Sequence, residues 1–182
     1  ESEDLKKKLN NRLGAVYSSL HSFVEERKSN NDLISLVLFH WEAEVVAKRE
    51  RVASGFVQKY CLDKFPPETG TWFGGTTYSA AFEKMKQLIN PSDPNTTVIF
   101  LTDDDKGDEE SISVVKHVKE NLQDKFSLWC IKFGGSKETG LDKIVKACNG
   151  RLVTQANEIE LQQNFEEVSN SLNFSGFFTR TV

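Results

Sequence analysis

Residues 97–105 read Thr-Val-Ile-Phe-Leu-Thr-Asp-Asp-Asp, an apolar run that ends in three consecutive carboxylates. A run without alternation is the mark of a parallel strand covered on both faces, and ligands of open α/β sheets bind beyond the carboxyl ends of such strands. Asp103 is the first acid after the strand and is expected to border that crevice. Upstream, Gly74-Gly75-Thr76 is read as opening a helix, so that its backbone N–H groups and the Thr76 hydroxyl point into the same crevice. A hydroxyl and a carboxylate are hard oxygen donors that suit Mg²⁺, an ion that keeps several waters and takes few protein ligands. Two structural explanations compete: a glycine turn with Thr76 as a helix cap, and Asp103 as a turn or cap residue.

Several neighbours of these residues are candidates for touching a partner. Trp72 and Phe73 form either an exposed contact patch or a lid over the core. His40 and Trp41 end a strand near the same rim. Asp104 follows Asp103, and the acids from Asp104 through Glu110 are read as solvated loop and the negative first turn of a helix.

The elements that must position these residues follow from periodicity. Apolar residues at Leu5, Leu9, Leu13, Val16, Leu20, Phe23 and Val24 repeat every three or four positions, which predicts an amphipathic helix over 4–28. Leu33–Phe39 reads as a fully buried strand, and Val45, Val46 and Ala47 as a short strand folding back beside it at the sheet edge. A helix is expected over 52–65, stopped by Pro66-Pro67, and another begins at Tyr78. Strands over 97–102, 126–133 and 152–154 alternate with helices over 109–121 and 141–148. Asn149-Gly150 signals a left-handed helix stop, and Asn157 is expected to cap the last helix. The pattern predicts a three-layer α-β-α domain over 1–172, Rossmann-like, with a mostly parallel sheet and one antiparallel edge strand. Residues 173–182 form an apolar tail.

Composition narrows the function classes. The chain has 182 residues, 38% of them hydrophobic, which suffices for one ordinary core. With 23 basic and 27 acidic residues it carries a formal charge of −4, and no basic stripe suits a nucleic acid. No run approaches the roughly 20 apolar residues that cross a bilayer. Cys61, Cys130 and Cys148 lack metal-ligand spacing, and the last two read as core residues, which favours a reducing, cytoplasmic setting. An extracellular setting stays open, because Asn95 and Asn173 begin tripeptides that match the glycosylation acceptor pattern. His21 and His117 read as helix-surface residues and Trp129 as core. No Ser, His and Asp arrangement for catalysis is visible, so the chain is expected not to be an enzyme.

The order of elements, with a Gly-Gly-Thr loop opening one helix and a strand ending Leu-Thr-Asp, resembles the von Willebrand factor type A family over roughly residues 5–172. The resemblance implies a metal-ion-dependent adhesion site made by three loops, in which Thr76 corresponds to the second element and Asp103 to the third. The first element, Asp-x-Ser-x-Ser, occurs nowhere in the chain. The strand that carries it in the family lies mid-sheet, between the strands resembling 33–39 and 97–102, so a segment upstream or another chain is expected to fill that place. Three functions follow as expectations: a protein-interaction module, divalent-dependent through this partial site; a metal-free scaffold of an intracellular assembly; or, in another class, a Mg²⁺-dependent phosphotransferase or hydrolase.

Overall fold

A computed structural model describes residues 12–39, 41–63, 77–103, 107–133, 140–155 and 158–175. The chain packs as two compact units, each assembled from separated stretches of sequence.

One unit gathers residues 35–49 and 72–156. Its centre is a parallel sheet in the order β3 (Thr96–Thr102), β4 (Phe126–Phe133) and β5 (Arg151–Gln155). The register runs Thr96 to Phe126 through Thr102 to Lys132, and Trp129 to Arg151 through Phe133 to Gln155. The helices α3 (Glu109–Leu122) and α4 (Gly140–Cys148) supply the two crossovers, and α2 (Tyr78–Leu88), which precedes β3, packs in series with them. Phe82, Phe100, Val115, Leu128, Cys130 and Ile144 share one buried cluster. Trp129 and Ile131, which alternate with them along β4, are also buried, so both faces of the central strand are out of water.

Local signals set the ends of these helices. Asp108 caps α3: its Oδ1 accepts the Ser111 N–H at 2.6 Å, and Glu109 and Glu110 occupy the positive first turn. After α4, Asn149 takes the left-handed conformation at φ 54 and Gly150 donates its N–H to the Val145 carbonyl at 2.7 Å, the closing bond of a Schellman turn.

The remaining strands, β1 (Leu33–Phe39) and β2 (Ala43–Arg51), form a separate two-stranded sheet, antiparallel because only three residues join them. β2 is nine residues long, well beyond the Val45–Ala47 core expected for it. At Arg49 the backbone turns left-handed, φ 51, and its N–H donates to the Ser35 hydroxyl at 3.0 Å.

Two contacts fix the direction of β1 against β3. Near the start of both strands, the Arg49 guanidinium holds Asp93 through bonds of 2.5 and 2.9 Å. Toward their ends, Phe39 stacks on Phe100 with ring centroids 4.9 Å apart, and Tyr78 meets Phe100 edge-on at 5.0 Å. The two strands therefore run parallel, yet no pairing joins them among the described residues. The expectation that β1 is fully buried fails accordingly. None of its seven residues is buried despite the sequence Leu-Ile-Ser-Leu-Val-Leu-Phe, and Leu33 is 49% exposed. Apolar sequence reports what a strand seeks to cover, and a neighbour on each side is needed to cover it.

The second unit gathers residues 1–34, 50–71 and 157–182. Helix α1 (Arg12–Arg27) packs on α5 (Glu158–Ser175), with Phe23 edge-on to Phe165 at 5.8 Å. Leu20, Phe23 and Val24 are buried as the spacing predicts, but Tyr17 replaces Val16 as the next inward residue. Arg27 is buried, and its guanidinium donates to the Ser169 carbonyl at 3.1 Å and to Asp32 at 2.6 Å. The helix expected over 52–65 is instead a short stretch whose regular part is a π-helical turn, Gln58–Leu62. Gly55, at φ 82, precedes it, and a left-handed residue there keeps a longer α-helix from starting earlier. The last helix runs to Ser175, three residues into the segment read as a tail. Asn157 lies outside the described residues.

Candidate functional site

The carboxyl end of the parallel sheet is built on Thr102, the last residue of β3. Its hydroxyl lies 3.0 Å from that of Tyr78, the first residue of α2, and both side chains are buried. The first turn of α2 is thereby tied to the point where Asp103 leaves β3. Asp103 is exposed. The N-cap of α2 is Thr77, whose side chain makes no capping bond. Of the residues singled out in the sequence, Thr76, Trp72, Phe73, His40 and Asp104 lie outside the described residues. Trp41 is described: it follows β1 and is 56% exposed. Because β1 and β3 run parallel, Trp41 and Asp103 leave their strands at the same end of this unit.

Two further features belong to that rim. Gly107, just before α3, and Gly140, the first residue of α4, meet backbone to backbone, since a Cβ added to Gly107 would stand 2.5 Å from the Cα of Gly140. Below them, Lys132 ends the buried part of β4 at 2% exposure. Its Cα is in register with Thr102 on one side and Thr154 on the other, and by strand alternation its side chain leaves the face that Leu128 and Cys130 occupy. Sequence reasoning missed Lys132. The signal was there, a lysine between Ile131 and Phe133 in a strand otherwise read as core, at the end where α/β sheets place their chemistry.

A divalent ion at this rim would need several oxygen donors and little competing positive charge. The described residues offer the Asp103 carboxylate and set a buried ammonium one strand away. Among the described residues no three His, Cys, Asp or Glu side chains gather in a way that could hold a metal. Thr76, the other donor expected for Mg²⁺, lies outside the described residues.

The cysteines are no better suited to chemistry. Burial pushes the Cys61 thiol up to about 12 and raises Cys130 and Cys148 as well, so none is a thiolate near neutral pH. His117 is exposed on α3 with Nε2 3.0 Å from the Asn121 amide nitrogen. No helix among the described residues is long and apolar enough to cross a membrane.

No protein-family model matches the sequence, and no curated protein matches it. Solved structures do. BatB from Bacteroides thetaiotaomicron aligns with a TM-score of 0.69 at 14% identity, covering 92% of this chain and 89% of that one. A von Willebrand factor type A protein from Catenulispora acidiphila aligns at 0.57 and 16% identity over 87% of this chain and 38% of that one. The VWA domain of SpRpn10 aligns at 0.59 and 14% identity, covering 84% and 81%. At such identities the likeness is one of fold: the chain has an α/β fold of the von Willebrand factor type A kind.

Proposed function

We propose that the chain is a protein-interaction module that meets its partner at the rim where β1 and β3 end. The exposure of Trp41, 56% in a position beside the exit of β1, carries this reading. A large aromatic ring held in water at the same end of the unit as an exposed carboxylate is costly for a surface that stays bare and is the composition of an interface centre. The fold likeness supports the same conclusion. His40 and Asp104 adjoin Trp41 and Asp103 in sequence.

The test is affinity capture from the native cell extract with the 182-residue chain as bait. Proteins retained by the wild type are expected to be lost with Trp41→Ala and Asp103→Ala and kept with Lys143→Ala, a change on the exposed side of α4. Equal retention by all four baits overturns the reading. A contact built on Thr76, Asp103 and Mg²⁺ is released by chelator, whereas a metal-free scaffold contact is not, so the same capture repeated in EDTA separates these two forms. Hydrolysis of a phosphate ester in Mg²⁺, abolished by Asp103→Asn, would instead make the chain an enzyme.

We further propose that the interval between β1 and β3 receives an extended apolar segment, supplied by the same gene product or by another chain. A strand apolar at six of its seven positions, with no buried residue and no pairing toward β3 among the described residues, supports this, because each unpaired backbone group awaits a partner. Slow hydrogen exchange along the outer edge of β3 in this chain alone would count against it.

A further inference from the structure

The turn after β2 combines a charge pattern with an exposed hydroxyl. Arg49 and Arg51 stand five and three residues ahead of Ser54. Arginines at these offsets are what protein kinases with acidic substrate pockets read, because a guanidinium pairs with carboxylates in a fixed fork. Among the serines and threonines of the chain, only Ser54 and Thr154 follow an arginine by three positions, and only Ser54 has a second arginine two residues further back. Thr154 is held in the ladder of β5 beside Lys132, whereas Ser54 lies on a turn. The Phe56 N–H donates to the Ala53 carbonyl at 3.2 Å, which makes Ser54 and Gly55 the central residues of a β-turn, and the φ of 82 at Gly55 is one that glycine adopts freely. Arg51, Ala53, Ser54 and Gly55 are exposed, and a Cβ built on Gly55 would meet nothing within 4 Å. The hydroxyl therefore stands at a tip that a large partner can reach.

The neighbours of that hydroxyl are charged. Ser54 Oγ donates to Glu25 Oε2 at 3.2 Å and accepts from Lys28 Nζ at 3.4 Å, and Lys28 also pairs with Glu25 at 2.7 Å. Lys28 and, after it, the Ser54 hydroxyl hold the Glu25 carboxyl below the usual carboxylate range. A phosphoryl group on Oγ brings about −1.5 to −2 charges and three acceptor oxygens near neutral pH. It attracts the ammonium more strongly than a single carboxylate does, repels Glu25 and removes the hydroxyl that Glu25 accepts from.

We propose that Ser54 is a phosphoacceptor for an arginine-directed serine kinase, and that the phosphate takes Lys28 away from Glu25. In the transfer, Ser54 Oγ forms a bond to the γ-phosphorus of a nucleoside triphosphate while the bond from that phosphorus to the β–γ bridging oxygen breaks. The nucleoside diphosphate leaves, and the hydroxyl proton passes to a carboxylate of the kinase. The modified turn is then tied to the end of α1 by a pair between phosphate and Lys28. The reading of the rim as a partner surface plays no part in this.

The experiment uses the full chain, magnesium ATP and the catalytic subunit of an arginine-directed serine kinase, with modified positions read by peptide mass mapping. Folded wild-type protein is expected to gain phosphate on Ser54, and Arg51→Ala to gain it about tenfold more slowly. Absence of phosphate on Ser54 in the folded wild type overturns the proposal, as does an equal rate in Arg51→Ala. The pairing with Lys28 is read separately, by ³¹P NMR titration of the purified phosphorylated chain. The second ionisation of phosphoserine falls at about 6, and a neighbouring cation lowers it while a neighbouring carboxylate raises it. Lys28→Ala is therefore expected to titrate at higher pH than the wild type, and Glu25→Gln at lower pH. Both substitutions lie on the surface and leave the core intact. A titration that neither of them moves would show the phosphate standing free in water and would overturn the exchange of partners by Lys28.

Discussion

Asp93 receives both arms of the Arg49 guanidinium, and these hydrogen bonds hold its carboxyl below the usual carboxylate range. A carboxyl whose folded-state pKa is depressed adds stability above its unfolded value, near 4, and loses it as pH falls through the lower folded value. Wild-type protein is therefore expected to outlast Asp93→Asn in urea at pH 7, with the gap between their midpoints narrowing as the pH is taken below about 4. The thiols give a second expectation at this scale. Cys61, Cys130 and Cys148 should resist iodoacetamide at pH 8 until urea unfolds the chain, as counted by mass spectrometry; labelling of any of them in the native state would show a burial less complete than described. The fate of Cys130 and Cys148 was legible in the sequence, because both stand on apolar faces with clear periodicity. Lys132 was passed over, although a lysine between Ile131 and Phe133 stands out in a strand otherwise read as core.

The close approach of Gly107 and Gly140, at the starts of α3 and α4, governs the behaviour of whole elements. A methyl group at Gly107 would collide with the Gly140 backbone, which cannot swing aside as a flexible side chain would. Gly107→Ala is expected to cost about 1–3 kcal/mol in chemical denaturation, with faster hydrogen exchange in the first turns of both α3 and α4. Asp108→Ala, which removes only the cap of α3, is expected to cost about 1 kcal/mol and to leave α4 undisturbed. Element order, the parallel strands and the stop at Asn149 were readable from local chemistry: apolar runs, caps and turn residues act over a few positions. The length of β2 and the π-helical turn at Gln58–Leu62 were not, since each is set by backbone pairing or geometry that side-chain type scarcely encodes. The exposure of β1 escaped for a different reason. Its apolar composition is that of a covered strand, and only the absence of pairing on one side among the described residues contradicts it.

At the scale of the molecule, each unit is closed by contacts between distant parts of the sequence. The pairing of Arg27 with the Ser169 carbonyl and of Phe23 with Phe165 makes α1 dependent on α5. Removing residues 158–182 is expected to leave the amides of α1 unprotected in hydrogen exchange; retained protection would show that α1 is held by other means. The open strands also bear on how copies of the chain behave at high concentration. An apolar strand left unpaired on one side among the described residues is a template for its own kind, so isolated protein should lengthen into β-rich polymers as it is concentrated. A single gatekeeping charge, Leu33→Lys, placed where the side chain is already half in water, should slow the rise in light scattering without disturbing the core.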